Sequence, residues 1–199
     1  MPRIRCRTGI SNSTADIIVF SDDDQEFVKD YENKILSAFE HQPDADAIKF
    51  YCESTNPERP LAFKRPTCFC KAKKRSIMSA GVHCLAIKRK FLEKNQIGFD
   101  ETIGPGKKIY CGEDSVFLND LLKRNCNIYL SPELIGYVHQ EESSWFQGIN
   151  EQFCISTGFV YYKIYGFLAP LFILRRTINT KKRKNCNFPF LKMLFPIQI

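Results

Sequence analysis

"DIIVFSDDDQEF", residues 16–27, decides how the chain is read. Four apolar residues, Ile17 to Phe20, form a short β-branched and aromatic run of the kind that becomes a buried strand. The run ends at Ser21 and three consecutive carboxylates, Asp22, Asp23 and Asp24. Like charges held together at a strand end repel one another unless a cation sits among them. Oxygen donors of this kind suit Mg²⁺ or Mn²⁺, which keep part of their water and bind substrate phosphates as well. The alternative is a solvated turn in which Asp24 caps the following helix.

Working outward, Phe27, Tyr31, Ile35 and Phe39 recur every four residues and predict a helix. "DAIKFYC" (46–52) alternates as a half-buried strand, "GVHCLAI" (81–87) reads as another, and "KRKFLEKNQ" (88–96) as a short helix. Residues 54–75, with three prolines and a basic run, read as irregular. "FDETIGPGKKIYCGED" (99–114) is a glycine-rich loop, and Val116, Leu118, Leu121 and Leu122 mark a helix after it. "CNIYLSP" (126–132) and "LIGYVHQ" (134–140) read as two strands. Alternation of this kind predicts an α/β fold with a mixed sheet and helical cover.

At 199 residues, with 44% hydrophobic and 26% charged, the composition is that of a folded globular chain. The net charge of +7 is unevenly placed. Residues 1–151 carry 21 Lys/Arg against 22 Asp/Glu, a net of −1, while residues 152–199 carry eight Lys/Arg and no acid, a net of +8. Nine cysteines form no C-x-x-C pair and read as reduced thiols, several of them small core residues. Cys68 and Cys70 form a C-x-C pair without the partner pair a zinc site needs.

Two further features carry chemistry. "GED" (112–114) follows the glycine-rich loop and opens a helix. A carboxylate there is placed to accept a proton from a substrate hydroxyl, or simply to complement the helix dipole. His139, in "GYVHQEESS", is either a metal ligand or an ordinary hydrogen-bonded histidine.

The order "DIIVFSDDD", "FDETIGPGKKIYCGEDSVFL", "GYVHQEESS" resembles family 2 glycosyltransferases of the GT-A fold, particularly bacterial ones that build capsular or surface polysaccharide. The resemblance covers roughly residues 7–165. It implies that Asp22, Asp23 and Asp24 bind the donor, with Asp22 and Asp24 in the positions of the D-x-D motif that holds Mn²⁺ or Mg²⁺ on the diphosphate. It matches Glu113 and Asp114 to the family's catalytic pair, Asp114 being the base, and His139 to a metal or diphosphate contact. "FDE" with the following "GPG" resembles the acceptor-side loop. The partners implied are a nucleotide-sugar donor and a saccharide or lipid-linked acceptor, with inversion at the anomeric carbon. Family members begin with a strand ending near P-x-Y/F-N and half a nucleotide-binding sheet. Here 21 residues precede Asp22, and Arg7-Thr8 stands where members often carry Arg-Asn. The expectation is an N-terminally truncated GT-A-like domain over 1–150, with a C-terminal tail over 151–199. A catalytically inactive remnant that only binds is the alternative. A D-x-D phosphohydrolase is a further one, disfavoured because Glu26 stands where that class wants Thr or Val.

In the tail, "FVYYKIYGFLAPLFIL" (159–174) carries one charge, Lys163, and is followed by Arg175, Arg176 and "KKRK" (181–184). Sixteen residues interrupted by Pro170 are short for a membrane span, and flanking cations suit an anionic membrane surface. The expected location is cytoplasmic, peripheral to the inner face of the membrane. No aromatic-basic motif for nucleic acid accompanies the charge.

Overall fold

The computed structural model describes residues 10, 12–139, 148, 150–184 and 190–194. The chain divides into two compact units. One comprises, among described residues, 10, 12–98 and 117–139; the other comprises 99–116, 148, 150–184 and 190–194.

The first unit is built on a six-stranded mixed sheet. Its strands are β1 (Ile17–Val19), β2 (Gln25–Phe27), β3 (Ala47–Ser54), β4 (Cys70–Lys71), β5 (Leu85–Lys88) and β6 (Ile128–Val138), in the order β1-β5-β3-β6-β2, with β4 also on β6. β3 and β6 run parallel; every other pairing is antiparallel. Helix α1 (Tyr31–His41) turns Ile35 and Phe39 onto Ile48, Phe50, Cys52, Cys84, Ala86, Ile135 and Val138, and this is the core of the unit. The short helices α2 (Lys74–Met78) and α3 (Arg89–Asn95) flank β5 in sequence.

Several sequence expectations are corrected here. Phe27 does stack on Tyr31, with ring centroids 4.2 Å apart, but from β2 and not from the helix. Asp24 does not cap α1. The preceding residue is Asp30, in left-handed backbone (φ 63°), and its side chain makes no capping bond. Residues 81–84 are a turn, because Gly81 (φ 64°) and Cys84 (φ 55°) leave extended backbone, so the strand begins at Leu85. The two strands expected on either side of Glu133 are one, β6. Pro132 is carried in a bulge: Lys49 pairs with Leu130 and Tyr51 already with Leu134, so β6 gains two residues where the proline cannot donate to the ladder.

In the second unit, the loop 99–112 is closed by a bridge between Ile103 and Ile109. Ile103, Ile109 and Val116 pack with Val160 of α5 (Glu151–Tyr165). Asn150 caps α5 by accepting from the Phe153 N–H at 2.8 Å. Gly166 (φ 56°) and a short turn of 3₁₀ helix (Gly166–Leu168) separate α5 from α6 (Ala169–Lys184), and α7 (Phe190–Leu194) follows. Cys154, Ala169, Ile173 and Met193 form the shared core of these three helices. The expected apolar and basic helical tail is present as α5 and α6. Lys163, the single charge in the apolar stretch, pairs with Asp100 at 2.5 Å.

Candidate functional site

β1 delivers the aspartates. Its residues hydrogen-bond β5, and Phe20 at its end is buried against Phe117, with ring centroids 5.3 Å apart. The chain then leaves the sheet in a turn, in which the Gln25 N–H donates to the Asp22 carbonyl at 3.3 Å, and re-enters as β2. β2 lies close along β6 because position 136 is glycine: a Cβ there would come within 2.9 Å of the Glu26 carbonyl oxygen. This pairing brings His139, the residue just past β6, beside the turn. Its backbone N–H donates to the Asp24 carbonyl at 2.8 Å. The structure therefore brings His139 to the turn that carries Asp22, Asp23 and Asp24, although it lies far from them in sequence.

Both ring nitrogens of His139 have partners. Nε2 lies 3.1 Å from a Glu26 carboxylate oxygen and Nδ1 lies 3.3 Å from the Thr55 hydroxyl. Both ends of the His139–Glu26 pair are exposed, so the pair orients more than it stabilises.

The three aspartates are exposed, yet the Asp22 carboxyl has dense protein behind it. Desolvation raises its pKa. The charge of His83 opposes that rise, those of Asp24 and Asp23 add to it, and that of Lys49 opposes it. Lys49 is wholly buried on β3 and donates from Nζ to the His83 carbonyl, with its ammonium over the Phe63 ring. Gln25 donates from Nε2 to Cys84 Sγ at 3.0 Å. A hydrogen bond to Cys52, together with burial, holds the Cys84 thiol well above the usual range. The buried atoms Gln25 Oε1 and His83 Nε2 have no hydrogen-bond partner in the structure. Sequence reading missed this polar cluster. Lys49 occupies a polar slot in an alternating strand, and His83 lies in a segment whose sequence predicts a strand. The sequence holds no clear signal for it, because a lysine in an alternating strand reads as solvent-facing.

Asp22 and Asp24 offer the hard oxygen donors that Mg²⁺ or Mn²⁺ takes, and a divalent cation would relieve the repulsion from Asp24 and Asp23 that adds to the effect of desolvation on Asp22. Among the described residues, no group of three or more His, Cys, Asp or Glu stands ready to hold a metal. Two carboxylates with phosphate and water oxygens completing the shell is the arrangement these residues suit.

The second acidic feature belongs to the other unit. Glu113 and Asp114 form the first turn of helix α4 (Glu113–Lys123), both half-buried. Gly112 sets the turn: its φ of 101° favours glycine, and a Cβ would stand 2.6 Å from Val160 Cγ2. Its carbonyl accepts the Val116 N–H at 3.1 Å, opening the helix. Carboxylates here face the helix's free N–H groups and positive dipole end. Asp100 of "FDE" is fixed by Lys163 and by the Thr102 N–H and hydroxyl, at 2.8 and 2.6 Å. Burial opposes its ionisation, but these bonds outweigh it and lower its pKa to about 2.

A cavity of about 620 Å³ lies elsewhere in the first unit, lined by residues of α1, Phe69 and the β6 bulge. None of the site residues above lines it.

The fold is glycosyltransferase-like. Solved structures of S. aureus TarS share it. TarS 1–349 in complex with UDP-GlcNAc is 18% identical with a TM-score of 0.58, over 80% of this chain and 45% of that one. TarS 1–349 in complex with UDP is 16% identical with a TM-score of 0.61, over 94% and 53%. A further TarS structure is 15% identical with a TM-score of 0.63, over 92% and 32%. The chain thus spans about half the length of TarS 1–349 or less. No protein-family model matches it. No curated protein matches it either.

Proposed function

We propose that the chain is a glycosyltransferase that moves a sugar from a nucleotide-sugar donor to an acceptor hydroxyl, on a saccharide or lipid-linked acceptor in surface polysaccharide synthesis. The observation that carries this reading is the aspartate turn at the end of β1, in a fold shared with TarS structures that hold UDP and UDP-GlcNAc. Breaking the sugar–diphosphate bond develops negative charge on the leaving diphosphate. Mg²⁺ or Mn²⁺ held by Asp22 and Asp24 would neutralise it. Asp23 stands between them in the same turn. His139 braces that turn through its backbone bond to Asp24, and its ring would reach a metal or diphosphate only on letting go of Glu26 or Thr55.

Asp114 is the base. The acceptor oxygen forms its bond to the anomeric carbon as the bond to the diphosphate oxygen breaks, and the acceptor proton passes to the Asp114 carboxylate. One base and a single displacement give inversion. Glu113 shares the helix start and adds negative charge near the acceptor hydroxyl.

The test is release of UDP from UDP-GlcNAc, the first donor to try, by the full chain with Mn²⁺, with water or an added saccharide hydroxyl taking the sugar. UDP formation above the protein-free rate is the expected result. No release from UDP-GlcNAc or from other nucleotide sugars, with either cation, would overturn the reading.

A further inference from the structure

By length and composition, the helical run Glu151–Asn179 could cross a membrane. The fold divides it. Gly166 breaks the run, and α5 commits its apolar side chains to its own unit. Cys154 and Val160 are buried, Gly158 lies against the Met193 backbone, and Ser156 accepts the Tyr110 N–H. The expected apolar stretch 159–174 is therefore largely packed in its first half.

α6 is different. Ala169, Ile173 and Thr177, four residues apart, face inward. The opposite side leaves Leu171 65%, Leu174 46% and Ile178 46% exposed, and Phe167 (90%) and Leu168 (42%) precede it. Leu171, Leu174 and Ile178 fall on one stripe of α6, and Phe167 and Leu168 stand on the 3₁₀ turn that leads into it. From Phe167 to Ile178 a helix rises only about 16 Å, roughly half the hydrocarbon thickness of a bilayer.

We propose that Phe167, Leu168, Leu171, Leu174 and Ile178 are a docking face that lies in the plane of an anionic membrane and does not span it. The charge selects this occupant. Arg175 is exposed beside the stripe, and Lys181, Lys182, Arg183 and Lys184 follow in sequence. Residues 152–199 contain no acid to offset them. Cations at headgroup level next to a shallow apolar stripe are attracted to anionic lipid. A second copy seated on the same face would instead bring two copies of this like-charged run, Arg175 and Lys181 to Lys184, toward one another. The inference stands on this face alone and is independent of the transferase reading.

The test is flotation of the full chain with vesicles, either equimolar phosphatidylcholine and phosphatidylglycerol or phosphatidylcholine alone. The chain should float with the mixed vesicles, bind the neutral ones less, and lose part of its binding at high salt. Leu171→Glu with Leu174→Glu should lower partitioning at least about tenfold, with an unchanged circular dichroism spectrum. Phe167→Ser, at a position with almost no packing to lose, should weaken binding in the same direction. Three results would overturn the proposal: no flotation of the parent chain, equal binding to both vesicles, or a double variant that floats like the parent. So would a parent dimer in solution that the double variant dissolves, since the face would then join two copies.

Discussion

Asp22, Asp23 and Asp24 end a strand; Glu113 and Asp114 begin a helix. The two acidic turns meet opposite surroundings. At the helix start, free N–H groups and the dipole favour a carboxylate, so Glu113 and Asp114 are stable there whether or not they act on a substrate. At the strand end no such field exists. Asp22 is desolvated, its neighbours repel it, and only His83 and Lys49 lean the other way. An acid placed where the fold penalises it points to function more strongly than an acid placed where the fold rewards it. The role assigned to Asp22 therefore draws on its surroundings as well as on the resemblance, whereas the roles of Asp24 and Asp114 rest on the resemblance, and Asp114 needs a kinetic test.

That test carries the largest expected effect. Asp114→Asn keeps the shape and the helix start but removes the proposed base, so transfer should fall by about 10² to 10⁴. Stability should change by no more than about 1 kcal/mol. A variant that transfers sugar at a near-normal rate would reduce Asp114 to an ordinary helix-start acid.

Gly112 sharpens the same side of the comparison. Gly112→Ala forces a non-glycine residue to φ 101° and drives a methyl into Val160, and denaturant unfolding should show a loss of about 2 kcal/mol. Unchanged stability would mean that the helix start is held by something other than this turn.

Asp100 gives the pH signature of that unit. Its folded pKa of about 2 lies below the ordinary 3.8, so its contribution is present above pH 4 and is lost as pH falls toward 2. Lys163 is partly exposed, which discounts the effect to roughly 1 kcal/mol. Thermal melts of Lys163→Met should show a flatter acid limb than the parent; identical acid limbs would remove the ion pair from the account.

Asp22 has the opposite sign. Its folded pKa is raised, so the penalty is absent below the unfolded value of 3.8 and is fully felt once pH exceeds the folded value. Asp22→Asn should therefore melt slightly higher than the parent at pH 7, with the gain fading toward pH 4. A variant less stable at pH 7 would mean that the strand-end acids are not under strain.

The sequence made the α/β alternation, β1, β3, α3 and α4 legible, because each apolar run is bounded by polar, charged or glycine-bearing segments. It misplaced the start of α1 because Phe27 continues the helical period by coincidence while pairing with Gly136 on β6. It split β6 because a proline inside a strand looks like an end, and only the register with β3 reveals the bulge. Within the site, the acids and His139 were legible as residue types at element ends. Their union through the β2–β6 ladder was not, since it depends on a glycine contact 110 positions away from Glu26. The Lys49–His83 support was hidden because a buried lysine and a surface lysine look alike in an alternating strand.

The most direct measurement is calorimetric titration of UDP into the full chain in the presence of Mn²⁺, repeated with Asp24→Ala. Alanine keeps the backbone carbonyl that accepts from His139, so the turn survives while its carboxylate is lost. The account predicts Mn²⁺-dependent binding of UDP by the parent chain, abolished in the variant. Equal binding by both, or binding by the parent that ignores Mn²⁺, would contradict it.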